Sequence, residues 1–132
     1  MAYRHDMSQE NERHEFENLP NGWREFIIKD CKESVSKKGN EQFVFLFEDE
    51  ETSEQGDIYA IAVPKRRWFL KQILFACNIV ASEDGIYDWG IPDVLEKRVM
   101  GLVVSVQEEW IDRNGDTQTK VRPRINQVKA VI

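Results

Sequence analysis

The alternation of apolar and polar positions divides the chain into strands, one helix and the turns between them. Turn punctuation at "LPNG" (Leu19–Gly22) precedes a first strand, "WREFIIKDCKE" (Trp23–Glu33). Phe26 and Ile28 share one of its faces, and Trp23, Glu25, Ile27 and Lys29 share the other. "SKKGNE" predicts a tight turn, because Gly and Asn tolerate positive φ. The second strand is a Phe-rich run with Phe43, Phe45 and Phe47 on one face and Val44 and Leu46 on the other. Both faces are apolar, so either both are covered by protein or one is left for a flat, greasy partner. The Phe face is either core or a platform for bases. An acidic loop, "EDEETSEQGD", leads to a third strand over Asp57–Val63.

Pro64 opens a predicted helix that runs to about Val80. Proline suits a first helical position, where its missing N–H would have no partner anyway. The main apolar stripe is Phe69, Leu70, Ile73, Leu74, Cys77 and Val80. Trp68, Phe75 and Ile79 form a second stripe on the reverse side. A loop or the N-terminal segment covers that stripe, or another subunit or partner does. The loop Ala81–Asp93 carries Tyr87 and Trp89, and a short helical turn follows at "PDVLEK". A fourth strand over Arg98–Trp110 places Met100, Leu102, Val104, Val106 and Trp110 on one face. Gly101 and Ser105 on its other face suit a bend or the close approach of another backbone. Asn114-Gly115 makes a hairpin turn into a fifth strand over Thr117–Ile132. Lys120, Arg122, Arg124 and Asn126 point one way there, and Val121, Pro123, Ile125 and Gln127 the other. Pro123 puts this strand at an edge or in a break of the ladder.

Three strands, a helix and two strands predict a mostly β fold. It reads as a five-stranded OB-type Greek-key barrel with one helix between strands 3 and 4. An SH3-like barrel lacks so long a helix, and a ferredoxin-like sheet needs two helices. The barrel is expected over residues 16–132. Residues 1–15 lack apolar periodicity and are expected to form a flexible acidic tail.

Composition narrows the function. The chain has 132 residues, 41% hydrophobic and 32% charged, as expected of one soluble domain. No apolar run reaches the roughly 18 residues that span a bilayer, and the polar N-terminus does not read as a signal peptide. The expected location is the cytoplasm. Cys31 and Cys77 match no metal or redox spacing and are expected to be free, buried thiols. His5 and His14 lie in the polar N-terminal stretch, and no nucleophile elbow, phosphate loop, dinucleotide fingerprint or zincin motif occurs. The expectation is a protein without catalysis, cofactor or metal.

The net charge is −6, but acids and bases are segregated. Residues 1–18 hold five acids and two bases and residues 48–57 six acids and no base, while Arg113 to Lys129 carries five bases and one acid. Binding of single-stranded nucleic acid needs cations that track phosphates and aromatic faces on which bases stack. The candidates for stacking are Trp23, Trp89 and Trp110, with Tyr59 and Phe45 behind them. Those for phosphate contact are Lys37, Lys38, Lys65, Arg66, Arg67, Arg113, Lys120, Arg122 and Arg124. Each has a plainer reading: Lys37-Lys38 as a solvated turn tip, Trp89 as a plug under its loop. The cluster at residues 65–67 opposes the helix dipole, which favours a functional reason for it. Lys120, Arg122 and Arg124 are the most specific signal, since cations at period two repel unless a polyanion or acidic neighbours meet them. The 48–57 acids or the N-terminal tail are placed to fold over this stripe as internal phosphate mimics.

The stretch "FENLPNGWREFIIKDCKESVSKKGNEQFVFLFE" resembles the opening of a phage-encoded family of single-stranded-DNA-binding proteins, first catalogued as a domain of unknown function. Leu19, Pro20, Gly22, Trp23, Ser36, Lys37, Lys38, Gly39 and Asn40 carry the resemblance. "GLVVSVQEEWIDRNGDTQTKVR" is similar to the family's last hairpin. The resemblance implies an OB fold, a place in phage DNA replication and recombination inside a bacterial host, and cooperative or oligomeric binding of single-stranded DNA. It points to Trp23, Lys37 and Lys38 near the nucleic-acid face. One departure is the ending "NQVKAVI", where cellular single-strand-binding proteins commonly carry an acidic partner-recruiting tail. The alternative reading is an OB-fold protein–protein module of a replication or recombination complex. Its interface would be the Phe face and the Trp68, Phe75 and Ile79 stripe.

Overall fold

The computed structural model describes residues 14–131. Most of the expected tail, with His5, lies outside the described residues, as does Ile132. Five antiparallel strands form one sheet: β1 (Gly22–Val35), β2 (Glu41–Asp49), β3 (Gln55–Ile61), β4 (Arg98–Ile111) and β5 (Thr117–Ala130). Among the described residues a single α-helix, α1 (Trp68–Ala76), lies between β3 and β4 in the chain. The architecture is mostly β, with the helix where the pattern predicts it.

The sheet runs in the order β3-β2-β1-β4-β5 and is not closed. Its edges, β3 and β5, share no ladder, yet Ile58 and Tyr59 of one and Pro123 and Ile125 of the other line the same hollow. The sheet therefore curls until its edges face each other. The chain from His14 to Phe16 stands at this gap. The Asp57 N–H donates to the His14 carbonyl at 2.8 Å, and the His14 N–H donates to the Asp57 carboxylate at 3.0 Å. Phe16 enters the core against Phe26, with ring centroids 5.6 Å apart. A Cβ at Gly56 would stand 2.5 Å from the Phe16 ring, so this close approach needs glycine.

The two-faced β2 resolves in favour of core. Phe45 and Phe47 are fully buried, and Phe43 sits at the rim. Val44, on the opposite face between Lys32 and Tyr59 of the neighbouring strands, is also buried. Phe45 has no exposed face on which a base could stack, which removes it from the interface candidates. Trp89 is half-buried, its ring 4.9 Å from Phe43 and stacked on Phe45 at 6.5 Å. It packs against the rim of the core beneath its loop, as the plainer of its two readings has it.

The structure decides which face of β4 turns inward. Val99, Gly101 and Val103 face the core, and the run from Met100 to Trp110 faces outward. Gly101 makes this possible: a Cβ there would lie 2.9 Å from Phe26 and 3.1 Å from Ile125. The close approach is thus of side chains, not of another backbone. The helix is shorter than its apolar pattern. Residues 64–67 form turns and Asn78 adopts a left-handed φ of 66°, which ends the helix. Leu70, Ile73, Leu74 and Ala76 bury its inner face. On its reverse side Trp68 and Phe75 stay exposed, while Ile79, past the helix end, packs against the core.

Cys31 and Cys77 are free and buried, as expected. Burial pushes the Cys31 thiol up to about 12 and the Cys77 thiol up to about 11, so both stay protonated and unreactive near neutral pH. The acidic loop is committed locally. Asp49 accepts both Arg24 guanidinium bonds, at 2.8 and 2.9 Å, and the Thr52 N–H and hydroxyl bonds at 2.8 and 2.9 Å. Glu51 also reaches Arg24, Glu50 pairs with Arg98, and Glu54 accepts the Glu17 and Asn18 N–H groups. None of these acids meets the β5 stripe.

Candidate nucleic-acid interface

Alternation along β4 sends Met100, Leu102, Val104, Val106, Glu108 and Trp110 to the outer face of the sheet. Register supplies their neighbours. Met100 lies between Glu25 and Lys129, and Leu102 between Trp23 and Gln127. Val104 faces Arg124, Val106 faces Arg122, and Glu108 faces Lys120. One continuous surface thus holds Trp23, Trp110 and a line of cations along β5, with aliphatic side chains between. Trp23 is 39% exposed and Trp110 45%. From the Trp23 row to Trp110, β4 runs about 26 Å, taking about 3.3 Å per residue. Past Val103 the ribbon of β4 and β5 continues without β1, leaving Val106, Ile111 and Val121 exposed.

Lys129 is the residue that sequence reasoning missed. Its Nζ stands 4.1 Å over the Trp23 ring, a cation–π contact at the surface. Unbroken alternation places Lys129 on the Val121 face, the inner one. The register slips at Asn126, where Leu102 pairs with Gln127 and Val103 with Ile125, and the bulge turns Lys129 outward.

The basic stripe has acidic company. Glu108 contacts Arg124 and lies 3.3 Å from the Arg122 Nε, while Glu15 pairs with Arg122 from the N-terminal side. An internal acid does therefore face the stripe, as the alternation argument requires. It comes from Glu15 and from the neighbouring strand, not from the 48–57 loop. Lys120 projects beyond this cluster and is exposed.

The remaining candidates divide. Tyr59, 45% exposed, faces the gap beside β5, where a cleft of about 350 Å³ is lined by Tyr59, Arg66, Trp68, Phe69, Ile125 and Asn126 among others. Tyr59 and Arg124 border the adjoining hollow, which links the cleft to the outer face of β5. Lys65 and Arg67 are exposed beside Arg66, and Arg67 borders a separate hollow with Glu41 and Trp89. Lys37 and Lys38 are exposed at the β1–β2 turn, and Arg113 at the β4–β5 turn. The register sets the β1–β2 turn away from the Trp23–Trp110 surface, while the β4–β5 turn with Arg113 lies at its end, just past Trp110.

Among the described residues, no cluster of His, Cys, Asp and Glu is arranged to hold a metal ion. No helix among them is long and apolar enough to cross a membrane. Comparison of the sequence with protein-family models and with curated proteins finds no match.

Proposed function

We propose that this protein binds single-stranded DNA without strong sequence preference and without catalysis, in phage DNA replication or recombination. The open, curled sheet is read as an OB-type Greek-key barrel whose β3–β5 seam is left unpaired. The observation that carries the reading is the Trp23 ring under Lys129, on the same outer face as Arg122, Arg124 and Trp110. Bases stack on exposed aromatic faces largely irrespective of sequence, while neighbouring cations take the phosphates. A strand lying along β4 would draw Lys129 from the ring onto a phosphate and put a base in its place.

The test is a titration of tryptophan emission with poly-dT at low salt. Saturable quenching is expected. Trp23→Ala should weaken binding by about tenfold, corresponding to one stacked base at about 1–3 kcal/mol. Arg122→Glu combined with Arg124→Glu sets four carboxylates together on the β5 face and should abolish it by repulsion, with circular dichroism checking the fold. No binding at micromolar protein, or affinity unchanged in both variants, would overturn the proposal.

One observation favours a second reading. Phe75 is 62% exposed on the outer side of α1, where no described residue covers it. On that reading the domain is a protein–protein module for a replication or recombination partner, and DNA contact is incidental. Absence of poly-dT binding, together with partner binding that Phe75→Asp abolishes, would select it.

A further inference from the structure

The cleft between the facing edges of β3 and β5 and the start of α1 adds a site of a different kind from the outer face. Its rims are two exposed aromatic side chains, Tyr59 and Trp68, which is 58% exposed. Its apolar lining includes Ile61, Phe69 and Ile125, and its polar groups are the Arg66 guanidinium and the Asn126 amide. No carboxylate lines it. Among the described residues no acid forms an ion pair with Lys65, Arg66 or Arg67. The adjoining hollow differs: Glu15 and Asp57 line it and would repel a phosphate.

We propose that this cleft takes one nucleotide of a bound strand, with its base against Tyr59 and Trp68 and its phosphate on Arg66. The inference rests on the single-strand-binding reading above. The occupant follows from complementarity: flat faces match a base, an acid-free cationic mouth matches a phosphate, and about 350 Å³ is room for a small ligand. The Asn126 amide both donates and accepts, so it serves any base edge and imposes little sequence preference. Trp68 is thereby assigned to nucleic acid, leaving Phe75 as the outward residue of its stripe.

The experiment uses the full chain and compares wild type, Trp68→Phe and Tyr59→Ala combined with Arg66→Ala. These positions are exposed and carry no core packing, so the variants should fold, which circular dichroism checks. With poly-dT, Trp68→Phe should lose part of the quenching at saturation. The double variant should bind about tenfold more weakly, as for one stacked base. Wild-type affinity in the double variant, with full quenching in Trp68→Phe, would overturn the cleft while Trp23→Ala still tests the outer face. A second titration uses dTMP. Quenching of Trp68 by dTMP without poly-dT binding would sink the single-strand-binding reading and keep the nucleotide site. No quenching by either would sink both. Equal quenching of Trp68 by poly-glutamate would overturn the nucleotide assignment in favour of an acidic peptide.

Discussion

Asp49 is 1% exposed and carries a charge, a combination that survives only when every lone pair is used. Arg24 and Thr52 use them. Burial alone pushes the carboxyl up, but the Arg24 guanidinium and the Thr52 hydrogen bonds outweigh it and hold the group below its ordinary value of 3.8. A folded value below the unfolded one means that ionised Asp49 stabilises the fold fully above pH 3.8 and loses this effect as the pH falls below it. Asp49→Asn mimics the protonated acid. It should cost about 2 kcal/mol near neutral pH, in line with hydrogen bonds to charged groups. Urea melts of both proteins across pH should show that gap constant above pH 3.8 and closing below it. A gap that persists unchanged into acid would refute the ion pair as its source.

At the scale of elements, what was legible follows from what each pattern encodes. Strands with one apolar face, such as the first half of β1, were readable from period two alone, and turn residues marked the β1–β2 and β4–β5 hairpins, while the acidic stretch read as a loop belongs in part to β2 and β3. β4 was not readable in this way, because Met100, Leu102 and Val104 are as apolar as the residues opposite, and only the bulk of Phe26 beneath Gly101 decides which side turns inward. Bulges have no residue signature either. The slip at Asn126 moved Lys129 across the sheet, and the one between Ile28 and Asp30 brought Cys31 into the core. The Phe45 assignment failed for a related reason, since exposed and buried aromatics look alike in a strand. Of the two sources expected for the acids facing the stripe, the tail supplies one, Glu15, and the 48–57 loop none, while Glu108 on the neighbouring strand was not foreseen. The role of the tail acid is now testable: Glu15 occupies Arg122 and a phosphate must displace it. Glu15→Gln should tighten poly-dT binding about threefold, the scale of one partly exposed ion pair. Affinity unchanged or weakened would show that Arg122 takes no part in binding.

For the whole molecule the difficulty is that a chain of net charge −6 should repel a polyanion. Screening confines the question to local charge, because fields fade over a Debye length of about 8 Å at physiological salt. The β2–β3 acids pair with Arg24 and Arg98, and Glu50 and Glu51 share a hollow with Trp23, Glu25 and Met100 at one end of the outer face. On the proposed reading a strand on that face would meet Lys120, Arg122, Arg124 and Lys129, with Glu25 and Glu108 beside them and Arg66 in the cleft. These cations are not equivalent. Arg122 and Arg124 already hold Glu108 and Glu15, so a phosphate arriving there replaces a carboxylate and gains little. Lys120, Lys129 and Arg66 have no carboxylate to give up among the described ion pairs, and phosphates bound there release their counterions outright. Each contributes a slope of about −0.7 to log affinity against log salt for a single strand, giving about −2 for the wild-type protein. Lys129→Ala should flatten that slope by about 0.7. Glu108→Gln should steepen it toward about −3, because it frees Arg124 to act as a full phosphate site while Glu15 still holds Arg122. A slope near zero in the wild type, or one that Glu108→Gln leaves unmoved, would mean that DNA does not lie along β5.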